Sequence, residues 1–136
     1  MENKIIVAVK GVILNNGKVL IIKRSNYDGV AAGGWECVGG KIEFGEGLEE
    51  ALMREAKEEV GLNITVDKLL YATTFKISPV KQCIVLTYLC RSEKTEVILS
   101  KEHTNYLWAT KEELREKLMR NIIEDFDRNN VFLEIE

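Results

Sequence analysis

The sequence predicts an α/β fold in which a mixed β-sheet is flanked by helices. β-rich runs stand on both sides of a helical pattern in the middle of the chain, and a second helical pattern lies near its end. Strands and helices thus interleave without strict alternation, and this order favours a mixed sheet covered by helices. With 136 residues and 46% hydrophobic side chains, the chain is expected to form a single domain over residues 1–136.

Composition argues against several classes of partner. The net charge is −3 and no run of Lys or Arg occurs, so we expect no nucleic-acid polymer as a partner. No apolar stretch reaches the length of a membrane span and the first residues lack a signal-peptide profile, so we expect no membrane association. Three sparse cysteines without metal-ligand spacing favour a reduced, cytoplasmic protein. The sequence leaves open whether the protein is a monomer or a homodimer.

The first two strands are predicted over residues 5–14 and 18–23. Both runs are rich in Val and Ile, and Asn15-Asn16-Gly17 joins them. Asn-Gly between β-rich runs is the strongest short hairpin signal, because both residues tolerate positive φ. A loop containing three glycines is predicted to follow over residues 25–34.

A helix is predicted in the centre of the chain, from residue 47 to residue 60. A glycine-rich loop at Gly39-Gly40 precedes it, and Gly61 stands where a left-handed cap is expected. One apolar stripe should face the core, and it consists of Leu48, Leu52, Met53, Ala56 and Val60.

The second half of the chain predicts two longer strands, a short last strand and a helix. The strands cover residues 64–76, 82–91 and 106–108, and Pro79 lies in a turn between the first two. Thr110 and Glu113 fit a capping box. Behind it, apolar residues recur every four positions and predict one amphipathic helix; they are Leu114, Leu118, Ile122 and Phe126.

Three carboxylates of the central helix share one face. Glu55, Glu58 and Glu59 are spaced i, i+3 and i+4, and like charges this close destabilise a helix unless something neutralises them. Glu59 also falls inside the edge of the apolar stripe, where an unpaired charge costs several kcal/mol to bury. A hard divalent cation such as Mg²⁺ would neutralise such a cluster. For the three carboxylates alone, an ordinary solvated acidic face is the alternative.

The full pattern around this helix resembles the Nudix box. Its fixed positions are matched by Gly40, Glu46, Arg54, Glu55, Glu58, Glu59, Gly61 and Leu62. Ala56 is the one soft departure, since a larger aliphatic residue is usual there, and it concerns packing rather than chemistry. The resemblance implies the Nudix α/β/α sandwich, a mixed sheet flanked by helices, over nearly the whole chain.

The resemblance also implies a site that uses Mg²⁺ or Mn²⁺ to hydrolyse a phosphoanhydride bond. The implied metal ligands are the backbone carbonyl of Gly39 and the side chains of Glu55, Glu58 and Glu59. Arg54 is implied to orient these carboxylates, although its spacing alone fits an ordinary surface ion pair with Glu58 equally well. The general base is implied to be a box glutamate or Glu102 in a later loop, and for Glu102 a solvated loop residue is the alternative.

The substrate is implied to be a small nucleotide. Arg24 and Lys41 are candidates for binding its phosphates, with a solvated side chain as the alternative for Lys41. Asn121 is a weak candidate for a contact with the base. Trp35 is expected to be structural, and His103, the only histidine, is expected to be inert.

A nucleoside triphosphate pyrophosphohydrolase that releases a nucleoside monophosphate and pyrophosphate is the favoured activity. An ADP-ribose or nucleotide-sugar pyrophosphatase is the alternative, because Pro79 lies near a proline that marks many ADP-ribose hydrolases of the family. A catalytically silent nucleotide sensor is a further alternative. It is disfavoured because every charged position of the box is intact.

Overall fold

A computed structural model describes residues 2–25 and 33–136 of the chain. The strands are β1 (Lys4–Asn15), β2 (Lys18–Arg24), β3 (Trp35–Lys41), β4 (Thr65–Ser78), β5 (Lys81–Arg91) and β6 (His103–Ala109). The helices are α1 (Leu48–Val60), α2 (Lys111–Lys117) and α3 (Arg120–Arg128), followed by a 3₁₀ turn at Val131–Glu134. Most of the loop predicted over residues 25–34 lies outside the described residues.

The described strands form one six-stranded sheet in the order β4-β5-β1-β3-β2-β6. β1 pairs with β5 in parallel, and the other pairings are antiparallel, so the sheet is mixed as predicted. The predicted hairpin between β1 and β2 is confirmed: Asn16 and Gly17 adopt φ of 49° and 75°, as a turn with two left-handed residues requires. The local sequence therefore specifies the turn that joins the first two strands of the sheet.

Helix α1 covers one face of the sheet and is built as the sequence predicts. Gly47 precedes it, and Glu50 Oε1 accepts a hydrogen bond of 3.1 Å from the Gly47 N–H. Gly61 ends it with φ of 71°. Its buried side chains pack with Val9, Ile13 and Val38 of the sheet; they are Ala51, Leu52, Ala56 and Val60. Met53 was assigned wrongly to the buried stripe, because it lies at the edge of that arc and is 41% exposed.

The second amphipathic pattern forms two helices, so the prediction of one continuous helix was wrong. Leu118 and Met119 adopt extended backbone with ψ of 147° and 144°, which separates α2 from α3. Leu118 instead forms a bridge with Trp35, and the Met119 N–H donates to the Trp35 carbonyl at 3.4 Å. The Thr110 capping box is confirmed, with the Glu113 N–H 3.2 Å from Thr110 Oγ1.

The other face of the sheet is covered by α2, α3 and the 3₁₀ turn, which completes a three-layer α/β/α arrangement. Alternate residues of a strand point to opposite faces, so Val12 and Leu14 of β1 pack on this side with Leu114 and Phe126. Ile6 and Ala8 share this face with Val12 and Leu14, but they line an open cavity. The sheet is thus covered by helices along only part of this face.

Two smaller predictions also need correction. Gly39 and Gly40 are not in a loop but in strand β3, which the sequence analysis did not identify. The last strand spans His103–Ala109 rather than residues 106–108. Pro79 lies in the turn between β4 and β5, as expected. No helix among the described residues is long and apolar enough to cross a membrane.

Candidate active site

The described residues surround an open cavity of about 1050 Å³. Its volume is at the upper end of the range of small-molecule sites, about 300–1,000 Å³. One end is ionic, with charged side chains from β1, β2, β3 and α1, and the other end has an apolar floor on β1, β4 and β5. The floor includes Ile6, Ala8, Phe75, Ile77 and Val85. Threonines of the same strands also line the cavity, and helix α3 borders it with Asn121, Glu124 and Asp125. The cavity can therefore accommodate a ligand that has one anionic and one apolar part.

Arg54 of α1 is the centre of the first ion cluster, the Arg54 cluster, whose carboxylates are Glu46, Glu55 and Glu58. Its Nε lies 2.6 Å from Glu46 Oε2, and its Nη2 lies 2.9 Å from Glu46 Oε1. Its Nη1 lies 3.1 Å from both Glu55 Oε1 and Glu58 Oε2. Its Nη2 also donates to the Lys41 carbonyl at 3.1 Å. One guanidinium thus orients three carboxylates and ties them to the end of β3.

Glu46 has a role that the sequence analysis did not assign. It is the first glutamate of the box, and it binds Arg54 through both carboxylate oxygens. The hydrogen bond from Arg54 is the main cause that lowers the pKa of Glu46 to about 2. The fork-to-fork geometry fixes the plane of the guanidinium. Glu46 therefore positions Arg54, which in turn positions Glu55 and Glu58.

Glu55 and Glu59 lie against the two glycines of β3. The Gly39 N–H donates to Glu59 Oε1 at 3.0 Å. A Cβ added at Gly40 would overlap the Glu55 carboxylate, so this position must be glycine for Glu55 to lie where it does. Burial raises the pKa of Glu59 to about 7, and the Lys10 charge and the Gly39 N–H oppose this only partly. Burial likewise raises the pKa of Glu55.

Glu36 of β3 is the centre of the second ion cluster, the Glu36 cluster, whose other members are Lys10, Arg24 and His103. Glu36 Oε1 lies 3.3 Å from Lys10 Nζ, and Oε2 lies 3.1 Å from Arg24 Nη1 and 3.3 Å from His103 Nε2. Burial alone would raise the pKa of Glu36. The hydrogen bond from His103 and the charges of Lys10 and Arg24 outweigh burial and lower this pKa to about 2.

All the site residues that the sequence predicts line this one cavity. Arg24 reaches it from β2, Lys41 from the end of β3, and Glu102 from the segment before β6. The segment with Glu102 is held by the Ser100 N–H, which donates to the Glu59 carbonyl at 3.0 Å. For Gly39, the contact seen is from its N–H to Glu59. The structure thus brings the predicted residues together without assigning their roles.

Three residues of the site have no role in the sequence analysis: Lys10, Glu36 and Glu46. Lys10 interrupts an apolar run of ten residues, which is a signal that it needs a buried partner. Glu36 similarly sits between Trp35 and the apolar Cys37 and Val38. His103 begins β6 and is buried beside Glu36, a contact that the expectation of an inert histidine did not include.

The donor set fits a hard divalent cation. It consists of carboxylate oxygens, which are the ligands that such a cation prefers. Three of the carboxylates, those of Glu46, Glu55 and Glu58, share one cation, the Arg54 guanidinium. Within residues 2–25 and 33–136, however, no three His, Cys, Asp or Glu side chains are already arranged as the ligands of one metal ion. Glu55 and Glu58 instead contact Arg54, and Glu59 contacts the Gly39 N–H. The residues present therefore suit a metal by their chemistry and charge.

The comparison with known families and curated proteins agrees with this geometry. A family model described as NUDIX domain matches residues 4–129. The nucleoside triphosphatase NudI of Enterobacter sp. (strain 638) is 35% identical over an alignment of 113 residues, with 76% of this chain and 80% of that protein covered. The protein of the same name from Escherichia coli O17:K52:H18 (strain UMN026 / ExPEC) is 32% identical over 112 residues, with 75% and 79% covered.

Two solved structures are similar to this chain over nearly its whole length. The MutT protein from Methanosarcina mazei Go1 superposes with a TM-score of 0.82 at 30% identity, over 96% of this chain and 98% of that chain. The Escherichia coli ORF135 protein has a TM-score of 0.74 at 25% identity, with 97% and 92% covered. The similarity in both sequence and structure extends over the strands and helix that form the ionic end of the cavity.

Proposed function

The chain belongs to the Nudix family of hydrolases, and from this premise we propose that it hydrolyses nucleoside triphosphates to nucleoside monophosphates and pyrophosphate, with Mg²⁺ or Mn²⁺. The observation that carries the proposal is the two-ended cavity, in which an acidic and a basic cluster adjoin an apolar floor. The names of the NudI relatives, nucleoside triphosphatases, support the same substrate class. A cytoplasmic location and a monomeric or homodimeric state belong to this proposal as well.

The carboxylates of helix α1 suit a divalent metal ion. Glu55, Glu58 and Glu59 are our proposed side-chain ligands, and we assign the Gly39 carbonyl as a fourth ligand. When bound, a divalent cation neutralises charge on phosphate oxygens and makes water a stronger acid. Glu58 and Glu59 are the box carboxylates that we propose to be catalytic. The half-buried Glu59, whose pKa burial raises, supports this assignment because its charge calls for a cation nearby.

Two other residues are proposed to be catalytic without being ligands. Arg54 holds Glu55 and Glu58 in place through hydrogen bonds of 3.1 Å each, which supports the orienting role. Glu102 lines the cavity and is exposed, so it can accept a proton from attacking water. A box glutamate remains the alternative base.

The cations of the Glu36 cluster, together with Lys41, suit the phosphates of the substrate. Arg24 is proposed to bind them through its guanidinium, whose Nη1 is held by Glu36 at 3.1 Å. Lys41 is exposed at the end of β3 and lines the cavity, which supports a second phosphate contact. The apolar floor then takes the nucleoside, and Asn121 at its border is our candidate for a contact with the base.

A nucleoside diphosphate linked to a second group, such as ADP-ribose or a nucleotide sugar, is the alternative substrate. The cavity volume of about 1050 Å³ favours it, because the volume leaves room for a larger ligand. Pro79 does not favour it, because Pro79 forms the β4–β5 turn and does not line the cavity.

The test is an assay of a substrate panel with Mg²⁺ and with Mn²⁺. The panel contains nucleoside triphosphates, ADP-ribose, nucleotide sugars and dinucleoside polyphosphates, and chelator provides the metal-free control. We expect pyrophosphate from nucleoside triphosphates, and ¹⁸O-labelled water will identify the phosphorus that is attacked. Higher kcat/KM on ADP-ribose or nucleotide sugars would select the alternative substrate. Nucleotide binding without any turnover would instead identify a sensor.

A further inference from the structure

Lys10 lies at a largely buried position, where the charge of a lysine costs free energy to desolvate. It lies in the middle of β1, the central strand that pairs with both β3 and β5, and its side chain is only 22% exposed. The Lys10 ammonium has two acceptors among the described residues: Glu36 Oε1 at 3.3 Å and the Cys37 carbonyl at 3.2 Å. An ammonium carries three N–H donors, so one donor is left without a protein acceptor there.

Neutralising Glu36 does not explain Lys10. The Glu36 carboxylate also has Arg24 Nη1 at 3.1 Å and His103 Nε2 at 3.3 Å. A carboxylate with these two partners is already paired, and a further buried cation adds desolvation cost.

Lys10, a member of the Glu36 cluster, also shares the cavity with the proposed metal ligands. It lines the cavity, as do both Glu36 and Glu59. The ammonium is on the side of the cavity where Arg24 enters, because both cations contact the Glu36 carboxylate. The carboxylates that we assign to the metal line the same cavity.

We propose that Lys10 binds a nonbridging phosphate oxygen of the substrate, and that Glu36 is the positioning residue that holds its ammonium towards the cavity. The inference rests on the proposed function and deepens it, because it adds a third cation to the phosphate site. The phosphate oxygen supplies the acceptor that the third N–H lacks and neutralises the additional buried charge. The ligand chemistry is a diphosphate bridge next to a divalent cation.

The test separates phosphate binding from metal binding. Lys10→Met removes the charge and keeps the length, Lys10→Arg keeps the charge, and Lys57→Met is the matched control, because Lys57 is an exposed lysine of α1 outside the cavity lining. Calorimetry measures binding of Mn²⁺ alone, and then binding of methylenediphosphonate, a diphosphate that resists hydrolysis, in the presence of Mn²⁺.

We expect Lys10→Met to bind methylenediphosphonate at least tenfold more weakly than the wild type. Its affinity for Mn²⁺ alone should be unchanged or higher, because a cation that repels the metal has been removed. Lys10→Arg should remain within about threefold of the wild type, since the charge-assisted hydrogen bond is kept, and Lys57→Met should not differ from it.

Two results would overturn the inference. Equal affinity of Lys10→Met and wild type for methylenediphosphonate would show that Lys10 does not contact phosphate. A parallel loss of Mn²⁺ and methylenediphosphonate binding, with a lower melting temperature, would show a purely structural role. If the wild type fails to hydrolyse nucleoside triphosphates while the tenfold difference persists, the proposed function fails and the role of Lys10 stands.

Discussion

The Arg54 cluster and the Glu36 cluster face the same cavity but are built in opposite ways. In the first, one cation holds three carboxylates, all of which come from α1 and the segment just before it. In the second, one carboxylate is surrounded by Lys10, Arg24 and His103, which come from three different strands. Among the described residues, the first cluster thus has an excess of negative charge and the second an excess of positive charge.

The Arg54 cluster contains one carboxylate that is open to water, whereas the carboxylate of the Glu36 cluster is buried. The Glu58 side chain is 57% exposed, whereas that of Glu36 is 9% exposed. Exposed ion pairs contribute little to folding, while removing one partner of a buried pair is costly. The comparison teaches that Glu58 can be changed at little cost to the fold, whereas Glu36 serves the fold and the ligand together. The charged partners are alike, because Arg54, Glu46 and Glu55 are 15–25% exposed and Lys10 and Arg24 are 22–23% exposed. Three variants test this division.

The largest effect is expected from Glu58→Gln. It should lower turnover at least a hundredfold, because it removes an anion that we assign to the metal from a metal-assisted step. The free energy of unfolding should stay within about 0.5 kcal/mol of the wild type, since the side chain is exposed. Steady-state pyrophosphate release and urea unfolding measure the two quantities.

Glu49→Gln is the matched control for this variant. Glu49 is an exposed glutamate in the first turn of the same helix and does not line the cavity. Its substitution should leave turnover unchanged. Near-native turnover in Glu58→Gln would contradict the assignment of Glu58 as a catalytic metal ligand.

Arg54→Lys is expected to have the next largest effect. Lysine keeps the charge but not the planar fork that binds Glu46 through two oxygens while reaching Glu55 and Glu58. Loss of such supporting contacts typically costs 10- to 100-fold in activity or metal affinity. We expect a loss of turnover and of Mn²⁺ affinity, each of at least tenfold, with the melting temperature little changed. Unchanged Mn²⁺ affinity would show that Arg54 does not position the ligands.

The difference between the clusters also explains how much of the site the sequence could predict. Most members of the Arg54 cluster lie on one helix, so helix periodicity and one box motif predicted that Arg54, Glu55 and Glu58 meet. The contact of Glu46 with Arg54 was not predicted. Glu36 lies 12 residues from Arg24, 26 from Lys10 and 67 from His103. Only the strand order of the sheet brings these four residues together, and no local pattern encodes it. The sequence therefore predicted that the carboxylates of α1 lie together, but it predicted only Arg24 of the Glu36 cluster as a site residue.

The fold follows the same rule. The Asn16-Gly17 turn, the Gly61 cap of α1 and the Thr110 capping box of α2 depend on neighbouring residues, and they were predicted correctly. The break between α2 and α3 depends on the contact of Leu118 with Trp35, far away in the sequence. Leu118 fits the four-residue repeat whether or not the helix continues, so periodicity could not reveal the break.

The smallest effect is expected in acid, and it concerns the Glu36 cluster. The pKa of Glu36 is about 2 in the folded protein and about 4.5 for an ordinary glutamate. A carboxyl group whose pKa is lowered by folding stabilises the folded state above its unfolded pKa, and this contribution is lost as the pH falls towards the folded pKa. The loss should therefore run from about pH 4.5 down to about pH 2.

Glu36→Gln isolates this contribution, because the amide does not titrate while the other carboxyl groups are unchanged. Between about pH 4.5 and about pH 3.5, the wild type should lose about 1 kcal/mol more of its free energy of unfolding than the variant does, as linkage predicts for one such group. Urea unfolding at each pH measures the difference. Equal losses in both proteins would show that Glu36 is not held as an anion by its three partners. The contrast between the buried, fold-supporting Glu36 and the exposed, chemical Glu58 would then have no basis.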